Sequence, residues 1–96
     1  TYDNALAVMA FAAKGDYGRA STILSTYKNN LPITLEGGYY DVYDYMTGIG
    51  SGNVAAGPNA WLLNAINLYV YKTGDTQFSA VAQSLADFLV GLQDTD

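Results

Sequence analysis

The sequence predicts an all-α fold of two antiparallel helical hairpins, and three observations lead there. Two apolar runs recur, each opened by an Asn-Ala pair (Asn4-Ala5, Asn59-Ala60) and each closed by Gly-Asp (Gly15-Asp16, Gly74-Asp75). The second run is longer by about one helical turn. After each Gly-Asp, apolar residues return at helical spacing: Ala20, Ile23, Leu24 and Tyr27, then Phe78, Val81, Leu85 and Phe88. The connection 31–57 alone lacks that spacing. A single domain over 1–96 follows, with hairpin one at 3–30, the connection at 31–57 and hairpin two at 58–93.

The first helix is expected over about residues 3–13. Every position from Ala5 to Ala13 is apolar. Gly15 suits the left-handed residue that closes this helix, and Asp16 suits the N-cap of the next. The second helix, about 17–30, sets Tyr17, Ala20, Ile23, Leu24, Tyr27 and Leu31 against Arg19, Thr22, Thr26 and Lys28. In the connection, Tyr39, Asp41, Tyr43 and Tyr45 alternate with Tyr40, Val42, Asp44 and Met46, the period of a strand. Thr47-Gly48 and Gly50-Ser51-Gly52-Asn53 read as turns, so a small β-hairpin or ordered loop is expected.

Pro58 is placed at the first position of the third helix, about 59–73, where a missing N–H costs nothing. Asn64, Asn67 and Tyr71 form a thin polar line on it, expected to satisfy one another or nearby backbone inside a core. Gly74 and Asp75 repeat the closing and capping roles. The fourth helix, about 77–92, carries a one-sided stripe: Phe78, Val81, Ala82, Leu85, Phe88, Leu89 and Leu92. The first and third helices have no charged face, and a helix apolar all round needs cover all round. Two hairpins cannot supply it. The expected cover is further hairpins of a longer chain or other copies of this one, in rings or solenoid-like filaments.

Composition narrows the chemistry. Half of the 96 residues are hydrophobic and 14% are charged, which excludes a disordered chain. Four Lys/Arg against nine Asp/Glu give a net charge of −5, so no nucleic-acid partner is expected. Cysteine and histidine are absent, which removes disulfides, thiolate nucleophiles, Ser-His-Asp triads and most metal sites. No metal and no cofactor are expected. Residues 45–71 carry no charge, but their glycines, asparagines and Pro58 break any run long enough to span a membrane. The opening residues show neither the basic nor the apolar segment of a signal peptide. Gly50-Ser51-Gly52 lacks the lysine and the strand–helix setting of a phosphate loop.

Two hairpin-shaped patterns carry a family resemblance. Tyr2-Asp3-Asn4-Ala5-Leu6-Ala7, then Gly15-Asp16, Arg19-Ala20 and Ile23-Leu24, resembles one hairpin of the α/α-toroid proteins. So does Gly57-Pro58-Asn59-Ala60-Trp61, followed by Tyr69, Thr73-Gly74-Asp75, Phe78 and Ala82. The relatives implied are secreted six-hairpin glycosidase-like domains, in which an inner apolar ring of helices alternates with an outer amphipathic one. The resemblance implies a carbohydrate-associated module, extracellular or at the cell surface, that binds or processes glycans. A closed toroid needs six hairpins and this sequence supplies two, so no catalytic residue is assigned by position. The alternative is a non-enzymatic subunit that self-assembles through its apolar helices.

The candidate carbohydrate-binding residues are Asp3, Tyr39, Tyr40, Asp41, Tyr43, Asp44 and Trp61. Asp3, Asp41 and Asp44, with Glu36, are the carboxylates near the connection and the first helix start. A pair about 5–10 Å apart can serve as acid and base on a glycosidic bond. Asp3 equally suits a cap, and Asp41 and Asp44 suit a solubilising role. Tyr39, Tyr40, Tyr43 and Trp61 offer flat rings that stack on the C–H faces of sugars. Subunit contact and local core are equally open to them.

Overall fold

A computed structural model describes residues 1–29, 38–39, 42–43, 50–51 and 56–94, with backbone alone at 42–43, 51 and 93–94. Four helices hold most of the described residues: α1 (Tyr2–Ala13), α2 (Tyr17–Asn29), α3 (Ala56–Thr73) and α4 (Ser79–Asp94). The helices pack as two hairpins, α1 with α2 and α3 with α4. The most extensive contact joins the hairpins through α1 and α3, and α2 also touches α3.

The first hairpin turn is set by Gly15. Its φ of +80° lets the Gly15 N–H reach the Ala12 carbonyl at 3.1 Å, while Asp16 N–H reaches the Phe11 carbonyl at 2.8 Å. That pair of bonds is the Schellman closure of α1, and a side chain at Gly15 would be strained in this conformation. Asp16 then caps α2, its Oδ1 accepting the Arg19 N–H at 3.3 Å. Gly74, at φ +72°, closes α3 in the same left-handed region.

The second turn departs from the sequence reading. Asp75 does not cap α4, which starts at Ser79 rather than at 77. Instead Asp75 Oδ1 accepts the Gln77 N–H at 3.0 Å and Oδ2 accepts the Tyr69 hydroxyl at 2.8 Å. This local carboxylate–backbone turn competes with helix and delays it. Its product is the burial of Phe78, which is fully enclosed, edge-on to Tyr69 with ring centroids 5.7 Å apart. Lys28 of α2 lies 6.0 Å from the same ring centroid, so Phe78 is wedged between the two hairpins. The start of α3 differs too: it begins at Ala56, so Pro58 sits inside the first turn, where its missing N–H is still no loss.

The core is one cluster fed by every helix. Ala5 and Val8 of α1 meet Leu62, Ala65, Ile66 and Tyr69 of α3, with Ala20, Leu24 and Tyr27 from α2 and Val81 and Leu85 from α4. Tyr39, from the connection, belongs to the same cluster. Alanine at 5 and 65 leaves room for two helices to approach closely, which fits the extent of the α1–α3 contact.

All-round burial of α1 and α3 is not met within this chain. Leu6, Ala10 and Ala13 of α1 face water, as do Trp61, Asn64, Asn67 and Tyr71 of α3. The core setting expected for Asn64, Asn67 and Tyr71 is not found; they lie on the outward flank, with Tyr71 84% exposed. Ala10, Ala13 and the two amides tolerate water at little cost, whereas Leu6, Trp61 and Tyr71 are large side chains left exposed on these flanks. In the connection, Val42 pairs with Ser51 and Tyr43 with Gly50, an antiparallel ladder two residues long.

Candidate functional site

α1 and α3 start side by side, and a cleft of about 610 Å³ opens between their N-termini. Thr1, Tyr2 and Asp3 line it from one helix; Gly57, Pro58 and Trp61 line it from the other. Tyr2 and Trp61 meet edge to face across it, centroids 6.0 Å apart and planes at 73°. Both rings are partly open to water, Tyr2 at 43% and Trp61 at 39%. Asp3 is exposed beside them.

A polar network, buried at Asn59, Tyr39 and Tyr27, ties both helix starts to α2 and the connection. Asn59 is wholly enclosed; its Nδ2 donates to the Tyr39 carbonyl at 3.0 Å and its Oδ1 accepts the Tyr39 N–H at 2.7 Å. The Tyr39 hydroxyl donates to the Tyr27 carbonyl at 2.9 Å, and the two rings stand edge to face at 4.9 Å. Asn4 Nδ2 donates to the Tyr27 hydroxyl at 3.1 Å. Asn4 and Asn59 are the two residues that open the duplicated pattern. Asn4, itself exposed, and the buried Asn59 each bond a tyrosine of α2 or the connection, and the residues just before them, Tyr2-Asp3 and Gly57-Pro58, line the cleft.

Of the seven candidate binding residues, the structure brings Asp3 and Trp61 together, although they are far apart in sequence. Tyr39 is placed elsewhere: at 2% exposure it is a core residue, and its hydroxyl is spent on α2. Tyr40, Asp41 and Asp44 lie outside the described residues, and Tyr43 is described by its backbone pairing alone. Tyr2, Gly57 and Pro58 are lining residues that the chemistry of the sequence does not single out. The duplicated Asn-Ala opening is the available signal, because residues preceding equivalent asparagines on adjacent helices become neighbours.

Asp3 is the one carboxylate among the described lining residues, so the cleft as described presents no acid–base pair. No group of three or more potential metal ligands occurs among the described residues, and no described helix is long and apolar enough to cross a membrane. What the cleft offers is two partly open aromatic rings, a carboxylate acceptor and the N-terminal ends of two helices. No protein-family model, curated protein or solved structure matches this chain.

Proposed function

We propose that this chain is a carbohydrate-associated helical module, similar to part of a six-hairpin glycosidase-like domain, that binds glycans at the cleft between α1 and α3. One observation carries the reading: Asp3 and Trp61 share a cleft with Tyr2. Indole and phenol faces pack on sugar C–H groups, and a carboxylate accepts hydroxyl protons. Binding is the part of this reading that the described lining supports, and processing would need a second carboxylate beside Asp3. Trp61 is the sole tryptophan of the sequence, so intrinsic fluorescence reports on the cleft directly. Titration with a panel of soluble oligosaccharides should give saturable quenching with at least one of them. A flat signal across the panel, with no heat by calorimetry, defeats the proposal.

A second reading rests on the outward flanks. Leu6, Tyr71 and Val90 are large apolar residues left exposed, and such surfaces favour association with further hairpins or other copies. Sedimentation of the chain at micromolar concentration tests it: a concentration-dependent assembly supports it, and a stable monomer ends it.

A further inference from the structure

We infer that the groove between α3 and α4 is a docking site for the outward flank of α1 in a second copy of this chain, in a head-to-tail contact. The inference rests on the association reading above and adds the two surfaces, their polarity and the partner.

The internal duplication supplies the pattern. On α1 the buried residues are Ala5, Val8 and Ala12; on α3 they are Asn59, Leu62, Ala65, Ile66 and Tyr69. With Asn4 aligned to Asn59, the buried positions of α1 fall on Ala60, Leu63 and Asn67 of α3. Those of α3 fall on Asn4, Ala7, Ala10, Phe11 and Lys14 of α1. The two sets share no position, so α1 and α3 meet through unlike flanks. A contact of that kind is heterologous, and it leaves one half of the same contact unused on each helix.

Both unused halves are open. Asn67 of α3 is exposed and Ala60 and Leu63 are half-buried; Ala10 and Lys14 of α1 are exposed and Ala7 and Phe11 are half-buried. On α3 the unused half forms one wall of a groove of about 390 Å³, with Leu63, Asn67 and Val70 facing Ala82, Gln83 and Ala86 of α4. No described lining residue of this groove is charged. On α1 no residue between Asp3 and Lys14 is charged either. Copies of a chain with net charge −5 repel one another, and two neutral surfaces are where that repulsion is least.

The internal contact also sets the pose. α1 and α3 start side by side, so the docked α1 would run parallel to the α3 that receives it. Ala10 corresponds to Ala65, the small residue at the internal contact, and would come against Leu63 and Asn67 of the receiving copy. Repeating this step gives a ring if the rotation closes and a filament if it does not.

The test is sedimentation velocity of the unaltered chain, of Ala10→Glu and Asn67→Lys separately, and of the two variants mixed in equal amounts. Both positions are exposed on their helices, and circular dichroism checks that each variant keeps its fold. The unaltered chain should assemble with concentration in the micromolar range. Either substitution should weaken assembly about tenfold or more, because it puts an unpaired charge into the contact. Mixing should restore assembly: one pairing is then unaltered on both sides, and the other joins opposite charges. Weakening by only one of the two substitutions would point to a symmetric contact and overturn the inference. No recovery on mixing would overturn the pairing of these two surfaces. Assembly unmoved by either substitution would overturn the inference and leave association standing. An unaltered chain that stays monomeric would remove the association reading, and this inference with it.

Discussion

Asn59 holds Tyr39 by both edges of its amide, one hydrogen bond to the carbonyl and one from the N–H of the same residue. The geometry copies one rung of a β-ladder, with a helix side chain standing in for the neighbouring strand. It lets a connection without helical spacing bury a tyrosine inside a helical core. Backbone groups in such a place need partners, and Asn59 supplies both at once.

The amide pairing sets the first expectation. Asn59→Ala would strip two buried backbone groups of Tyr39 of these bonds, for a loss of about 2–4 kcal/mol. Urea titration of the variant against the unaltered chain measures it. A loss below about 1 kcal/mol would show that water replaces the amide without penalty.

Phe78 sets the second. Its ring is enclosed by α2, α3 and its own turn, and Phe78→Ala would empty that space at a cost of about 3–5 kcal/mol. Its position between hairpins makes a further readout useful: amide exchange of α2 should quicken along with that of α4. Exchange confined to α4 would mean that Phe78 stabilises its own hairpin alone.

Two glycine substitutions should move stability in opposite directions. Gly74 stands at φ +72°, and a Cβ there would meet nothing within 4 Å, so Gly74→Ala costs about 1–2 kcal/mol through the backbone alone. Gly91 lies inside α4 at ordinary φ, and its surroundings leave the same open space for a Cβ. Gly91→Ala should therefore gain about 0.5–1 kcal/mol by reducing the freedom of the unfolded chain. Thermal midpoints shifting the same way in both variants would contradict this account.

Acid and alkali should each act on the Tyr69–Asp75 pair. Asp75 is held below its ordinary pKa of 3.8, first by the Gln77 N–H, then by the Gln77 side chain and the Tyr69 hydroxyl. A lowered folded-state value means that its contribution is present above 3.8 and is lost as pH falls through that lower value. Tyr69 is raised above its ordinary 10.0, first by burial and then by its bond to Asp75. Its contribution is present below 10.0 and fades as pH climbs through the raised value. Chemical denaturation across pH should show both flanks, with Asp75→Asn weakening the acid one and Tyr69→Phe the alkaline one. Flanks unmoved by either substitution would assign the pH response to other groups.

Local signals in the sequence are enough for the hairpins. Gly15 and Gly74 stand where left-handed residues are needed. The middle of each stripe points inward, Ala20, Leu24 and Tyr27 of α2 and Val81, Leu85 and Phe88 of α4, whereas Tyr17 and Leu92 at the ends are exposed. The start of α4 escapes such reading because Asp75 has two uses for its carboxylate, a helix cap or a turn, and spacing alone does not choose. The outward flanks of α1 and α3 stay uncovered, as the shortage of neighbours in two hairpins implies, and only the inward turn of Asn64, Asn67 and Tyr71 is not met. For the cleft, Asp3 and Trp61 are legible as chemistry. Tyr39 is not legible as core, since its burial depends on an asparagine in another element. Nothing in local sequence announces that pairing.

The end of α2 lies beside the beginnings of α1 and α3, as the Tyr27 bonds to Asn4 and Tyr39 show. Tyr39 is thereby fastened to the first hairpin through the Tyr27 carbonyl and to the second through Asn59, so a single residue of the connection clasps both helical pairs.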